Sequence, residues 1–91
     1  MSIATLFSHE ARQHRAVEHL VFNLLAKNGY PETALLMADE LKRDQTADHP
    51  TYRLTFATWE SDEQYQVIAE KNSGSWRVAL QVGDQAPRDL Q

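Results

Sequence analysis

The sequence predicts an α+β fold in which an N-terminal αα-hairpin packs on a three-stranded antiparallel β-meander. Three observations carry that prediction. Apolar residues recur at helical spacing up to about residue 44 and alternate after Pro50. Asn28-Gly29 followed by Pro31 cuts the helical half in two. The polar stretches Glu60-Ser61-Asp62-Glu63 and Asn72-Ser73-Gly74 cut the alternating half in three.

The first helix is expected over about 3–28. Val17, Leu20, Val21, Leu24 and Leu25 fall on one stripe at ~100° per residue. Gly29 stops the helix, because glycine accepts the left-handed conformation just past a helix end. Carried backwards, the same stripe meets Ile3, Leu6 and Phe7, but Glu10 and His14 interrupt it and Gln13 borders it. Buried inside one small domain, such an interruption is costly. Two readings stay open. Either the helix starts near Ser8 or Glu10 behind a flexible arm, or it starts near residue 3 and packs its first turns on a second chain. In the second case Glu10 and His14 would fix register, as buried polar residues do in coiled coils.

A second helix is expected over about 31–44. Pro31 suits a first helical turn, Glu32 its positive end, and Lys42 and Arg43 its negative end. Ala34, Met37, Ala38 and Leu41 make a coherent face, while Leu35 and Leu36 point progressively away from it. A helix apolar over that much of its girth calls for cover on two sides, the sheet on one and another subunit on the other.

Strands are expected over about 51–59, 64–71 and 75–82. Their greasy faces are Tyr52, Leu54 and Phe56; Tyr65, Val67 and Ala69; and Trp76, Val78, Leu80 and Val82. Residues 84–91 lack periodicity and are expected as a flexible tail.

Size and charge bound the function. The 91 residues suit one domain, 1–83, with a thin stability margin that small chains often recover by association. With no cysteine, disulfides and thiolate metal sites are excluded. No positive charge precedes an apolar run at the N-terminus, and no apolar stretch approaches the ~20 residues of a membrane span. The expected compartment is the cytoplasm. Thirteen acids against nine bases, a formal charge of −4, disfavour general nucleic-acid binding.

Catalytic and metal chemistry finds little footing. His9-Glu10-Ala11-Arg12-Gln13-His14 approaches a zinc-protease motif, but its histidines are one position too far apart to share a helix face. His14 with Glu10 and Glu18 reads as surface electrostatics before it reads as a metal site. The serines lack a nucleophile-elbow setting and the glycines are scattered. No cofactor, metal or catalytic residue is expected.

The segment from Val17 to Glu40 resembles the LisH motif, a short helical dimerisation element. Leu20-Val21 and Leu24-Leu25 lead to Gly29-Tyr30, then Thr33-Ala34, Met37 and Glu40 at the family's offsets. Leu24 and Met37 stand where the family usually carries aromatics. The resemblance implies homodimerisation through two helices, with Leu20, Val21, Leu24, Leu25, Tyr30, Ala34 and Met37 at or under the interface. More weakly, Gly74-Ser75-Trp76-Arg77-Val78 resembles the final strands of cystatin- and NTF2-like sheets.

The sequence therefore points to a non-enzymatic protein-interaction module that is homodimeric through its helices. Its expected interface residues are Leu6, Phe7, Glu10, His14, Val17, Leu20, Val21, Leu24, Leu25, Tyr30, Leu35, Leu36 and Met37. One alternative is a small acidic inhibitor of bacterial or phage type, resembling an immunity protein, that binds a foreign protein target. Another is a winged-helix-like regulator, disfavoured because Glu32, Asp39 and Glu40 line the would-be reading helix.

Overall fold

In the computed structural model, which describes the backbone of residues 3–91 and the side chains of residues 9–91, one helix lies across one face of an antiparallel sheet. The helix, α1, spans Ile3–Lys27. Its Val17, Val21 and Leu25, spaced four apart, are at most 1% exposed, and Leu20 and Leu24 flank them half-buried. This is the stripe that the sequence predicts. The helix ends as Gly29 does (φ +97°): Tyr30 N–H donates to the Leu25 carbonyl at 2.8 Å and Gly29 N–H to the Ala26 carbonyl at 3.3 Å. That pair of bonds is a Schellman stop, and Tyr30 packs against the core just past it. The Asn28 side chain adds a bond to the Leu24 carbonyl at 2.7 Å.

The second helix does not form, and with it goes the αα-hairpin that both the apolar spacing and the LisH-like pattern imply. After a single 3₁₀ turn at Glu32–Ala34 the chain is extended, as β1 (Leu35–Ala38) and β2 (Lys42–Arg43). Both pair antiparallel with β3 (Thr51–Thr58), at Leu35↔Thr58 and Ala38↔Phe56 for β1 and at Lys42↔Arg53 and Arg43↔Tyr52 for β2. Asp39 N–H, between them, donates to the Thr55 carbonyl at 2.9 Å. The two strands are thus halves of one interrupted sheet edge, and the interruption turns Leu41 (2% exposed) into the core. Helix propensity is a weak prior. A helix of this length gains little on its own, whereas the open edge of β3 offers a ladder of backbone hydrogen bonds.

The meander that follows matches its expected strands closely. β4 (Tyr65–Asn72) and β5 (Ser75–Val82) extend the sheet from β3 in register, with Leu54↔Val67 and Val67↔Leu80 at its centre. Ser73 (φ +52°) and Gly74 (φ +83°) close the β4–β5 hairpin with both central residues left-handed, as a type I′ turn demands. The sheet nevertheless has six strands and not three. The expected tail contributes β6 (Arg88–Asp89), which pairs with β5 and buries Leu90 to 5% exposure; Leu90 N–H donates to the Val78 carbonyl at 2.8 Å.

The core lies between α1 and the sheet's inner face, where Val17, Val21 and Leu25 meet Leu54, Val67 and Leu80. Tyr30 closes one end, with its ring 5.9 Å from Phe56 and 5.4 Å from Tyr65, which stack on each other at 4.9 Å. A 25-residue helix reaches about 37 Å at 1.5 Å per residue, and an eight-residue strand about 27 Å. The helix is therefore longer than any one strand, and the molecule measures 48 × 25 × 22 Å.

Candidate functional site

Among the described residues, the large apolar side chains left most exposed gather at one edge. Met37 and Trp59 are each 68% exposed and Leu36 is 49% exposed. Local backbone puts them there. The β1–β3 register shifts between Leu35 and Met37, and such a bulge re-aims the extra residue, here Leu36, out of the inward–outward alternation. Met37 lies opposite Ala57 on the sheet face that α1 does not cover. Trp59 follows the inward-facing Thr58, so strand parity turns it outward, and its N–H reaches the Ala34 carbonyl at 3.4 Å beside the start of β1.

Two depressions adjoin this edge. One, about 440 Å³, lies between the helix stop and the β3–β4 turn and is lined by Tyr30, Thr33, Ala34, Trp59, Glu60 and Tyr65 among others. The other, about 240 Å³, brings Met37 together with Asp39, Ala57, Asp62 and Glu63. The apolar edge is thus rimmed by carboxylates. Lys27 precedes the helix stop that borders the first depression, and past the strand break Arg53 is bound to Asp44 at 3.0 Å.

β1 itself, Leu35-Leu36-Met37-Ala38, carries no charge. As an outer strand it turns alternate backbone groups away from β3. Asp39 N–H points inward to Thr55, so by antiparallel alternation the N–H and C=O of Ala38 point outward.

The sequence-predicted interface residues scatter. Val17, Val21 and Leu25 are core, and Leu20, Leu24, Tyr30 and Leu35 pack half-buried against it. Glu10 is exposed. His14 is half-buried and its Nε2 lies 2.7 Å from the Leu41 carbonyl; the carbonyl can only accept, so Nε2 carries the proton. Its ring meets Tyr52 edge-on at 5.9 Å. His14 thus ties α1 to the strand break within this chain. The side chains of Ile3, Leu6 and Phe7 lie outside the described residues. Among the described residues of the expected set, only Leu36 and Met37 reach the exposed edge. Trp59 was not in that set, though the parity of Tyr52, Leu54 and Phe56 already directs residue 59 outward.

A second cluster of titratable groups sits at the loop before β3. His49 Nδ1 is 2.9 Å from Asp48 and Nε2 is 2.9 Å from Glu70 on β4. Both ring nitrogens face acceptors, so the doubly protonated ring satisfies both, and its pKa is raised, first by Glu70 and then by Asp48. Asp48 is correspondingly lowered by its bond to His49. With neither nitrogen free, this arrangement clasps the loop to the sheet and offers no base to a substrate. Nearby, Asp44 is held down at about 2 by the Thr46 hydroxyl and amide and by Arg53.

Among the described residues no group of three or more His, Asp or Glu side chains gathers as a metal site, and no helix is long and apolar enough to cross a membrane. Comparison with known proteins finds no family model, no curated protein and no solved structure that matches the chain.

Proposed function

We propose that the chain is a non-enzymatic protein-interaction module, and that the edge formed by β1 and Trp59 is where it takes a second polypeptide. One observation carries this reading: Leu36 and Met37 on an uncharged outer strand, and Trp59 at the adjoining end of β3, are all exposed. Scattered surface leucines are ordinary, but large apolar side chains clustered inside a polar rim mark interaction surfaces. Tryptophan is among the residues that carry most binding energy when buried by a partner.

A second copy of the chain is the first partner to test. Light scattering behind size exclusion, over a range of concentrations, reads the mass directly. A dimer near twice 10.4 kDa that Met37→Asp dissolves makes the partner a second copy. A dimer indifferent to that substitution places the contact elsewhere and removes this surface from the reading. A monomer at every concentration directs the surface to a foreign polypeptide. That second reading, a small acidic binder of a heterologous protein in the cytoplasm, is favoured by the carboxylates around the patch. The winged-helix reading loses its support, because the residues of the would-be reading helix lie in β1 and β2.

A further inference from the structure

We propose that the β1 edge accepts an extended, antiparallel strand from a foreign polypeptide whose apolar residues are flanked by lysine or arginine. This deepens the interaction reading above and rests on it.

Backbone, shape and charge each contribute. Among the described residues no strand pairs with the outward N–H and C=O of Ala38, and an added strand satisfies such groups by extending the sheet. Natural sheets defend open edges with short strands, bulges or charges placed within the strand. β1 is short and bulged, but its four residues carry no charge, and the bulge leaves Leu36 exposed. Trp59 and the cleft beside it, walled by Tyr30, Thr33 and Tyr65, give an apolar side chain of the incoming strand a place to insert.

Charge selects the partner class. Asp39 follows β1 directly and shares one depression with Asp62, Glu63 and Met37, while Glu60 shares the other with Trp59. A strand seated on β1 lies in the field of these carboxylates, so basic residues at its ends are attracted and acidic ones repelled. A second copy is the poorer occupant for the same reason, since it would bring an identical acidic rim against this one.

The test uses the full chain, labelled with ¹⁵N, and three blocked peptides of alternating valine and threonine. The first ends in lysines, the second in glutamates, and the third has lysine ends with proline at its centre, which removes a strand donor. The expected result is that the lysine-ended peptide shifts the Ala38 amide and the Trp59 indole signal. The glutamate-ended and proline peptides should do so at least about tenfold more weakly. The pair Asp62→Lys and Glu63→Lys, on exposed turn positions, should lower affinity for the lysine-ended peptide about tenfold and raise it for the glutamate-ended one. Equal binding of lysine- and glutamate-ended peptides, or shifts confined to other strands, overturns the proposal. If no peptide binds but the chain forms a dimer that Met37→Asp dissolves, a second copy occupies the edge; the proposal fails while the interaction reading stands. If no peptide binds and no dimer forms, the strand proposal fails.

Discussion

His49 shows how much one side chain can decide when its neighbours are fixed by the sheet. Its ring bridges Asp48 on its own loop and Glu70 on β4, and Thr51 donates its hydroxyl to the His49 carbonyl at 3.1 Å. The folded pKa is raised above the ordinary 6.5, so the contribution is fully present below that value and fades as pH rises through the folded one. Asp44 works in the opposite direction. Its pKa falls from 3.8 to about 2, so its contribution is present above 3.8 and is lost as pH drops towards 2. Amide exchange in the 44–50 loop should therefore be slowest, after correction for its intrinsic pH dependence, between these two limits. Glu70→Gln removes the larger cause of the His49 shift, and an NMR titration of the ring should then move towards the ordinary value. A ring titration that Glu70→Gln leaves where it was would mean that Glu70 does not hold His49.

At the scale of elements, α1 and the meander were legible because each has a period of its own. Val17, Val21 and Leu25 repeat at the helical spacing, and Tyr52, Leu54 and Phe56 at the strand spacing, so local sequence and burial agree. Residues 31–44 carry a helical spacing that the fold does not use: Met37 and Ala38, on the expected buried face, are exposed, while Leu35 is half-buried. The C-terminal residues failed differently. One apolar residue, Leu90, has no period to read, yet it fills the core beside β5 once β6 pairs. Leu90→Ala should thus cost about 2–4 kcal/mol, as for a buried leucine elsewhere. Urea denaturation measures this, and a cost near zero would mean that the end of the chain is not part of the core.

For the whole molecule, the balance of charge at the β1 edge sets what salt should do. Self-association across an acidic rim is opposed by like charges, and screening relieves that opposition. The Debye length falls from about 30 Å at 0.01 M to about 3 Å at 1 M ionic strength. Any dimer formed through this edge should accordingly strengthen with salt, whereas binding of a basic strand should weaken. Light scattering and peptide titrations at both ionic strengths check the two signs separately. Of the candidate surface, Leu36 and Met37 were visible in the sequence as apolar residues in excess of one helical face. The reason for their exposure was not, because it is a bulge and an open strand edge, features created only by pairing with β3.

The amino-acid sequence by itself determined the helix that carries Val17, Val21 and Leu25, its stop at Gly29, and the three long strands with their inward faces. Each of these follows from the spacing of apolar residues or from a backbone angle that glycine alone adopts readily. Only the tertiary structure decided that residues 35–43 pair as an interrupted edge, that His14 bonds to the Leu41 carbonyl, and that Leu90 returns to the core. The physical reason is common to all three. Each depends on backbone groups or cavities supplied by residues far away in the chain, and no local period records what a distant strand leaves unpaired or unfilled.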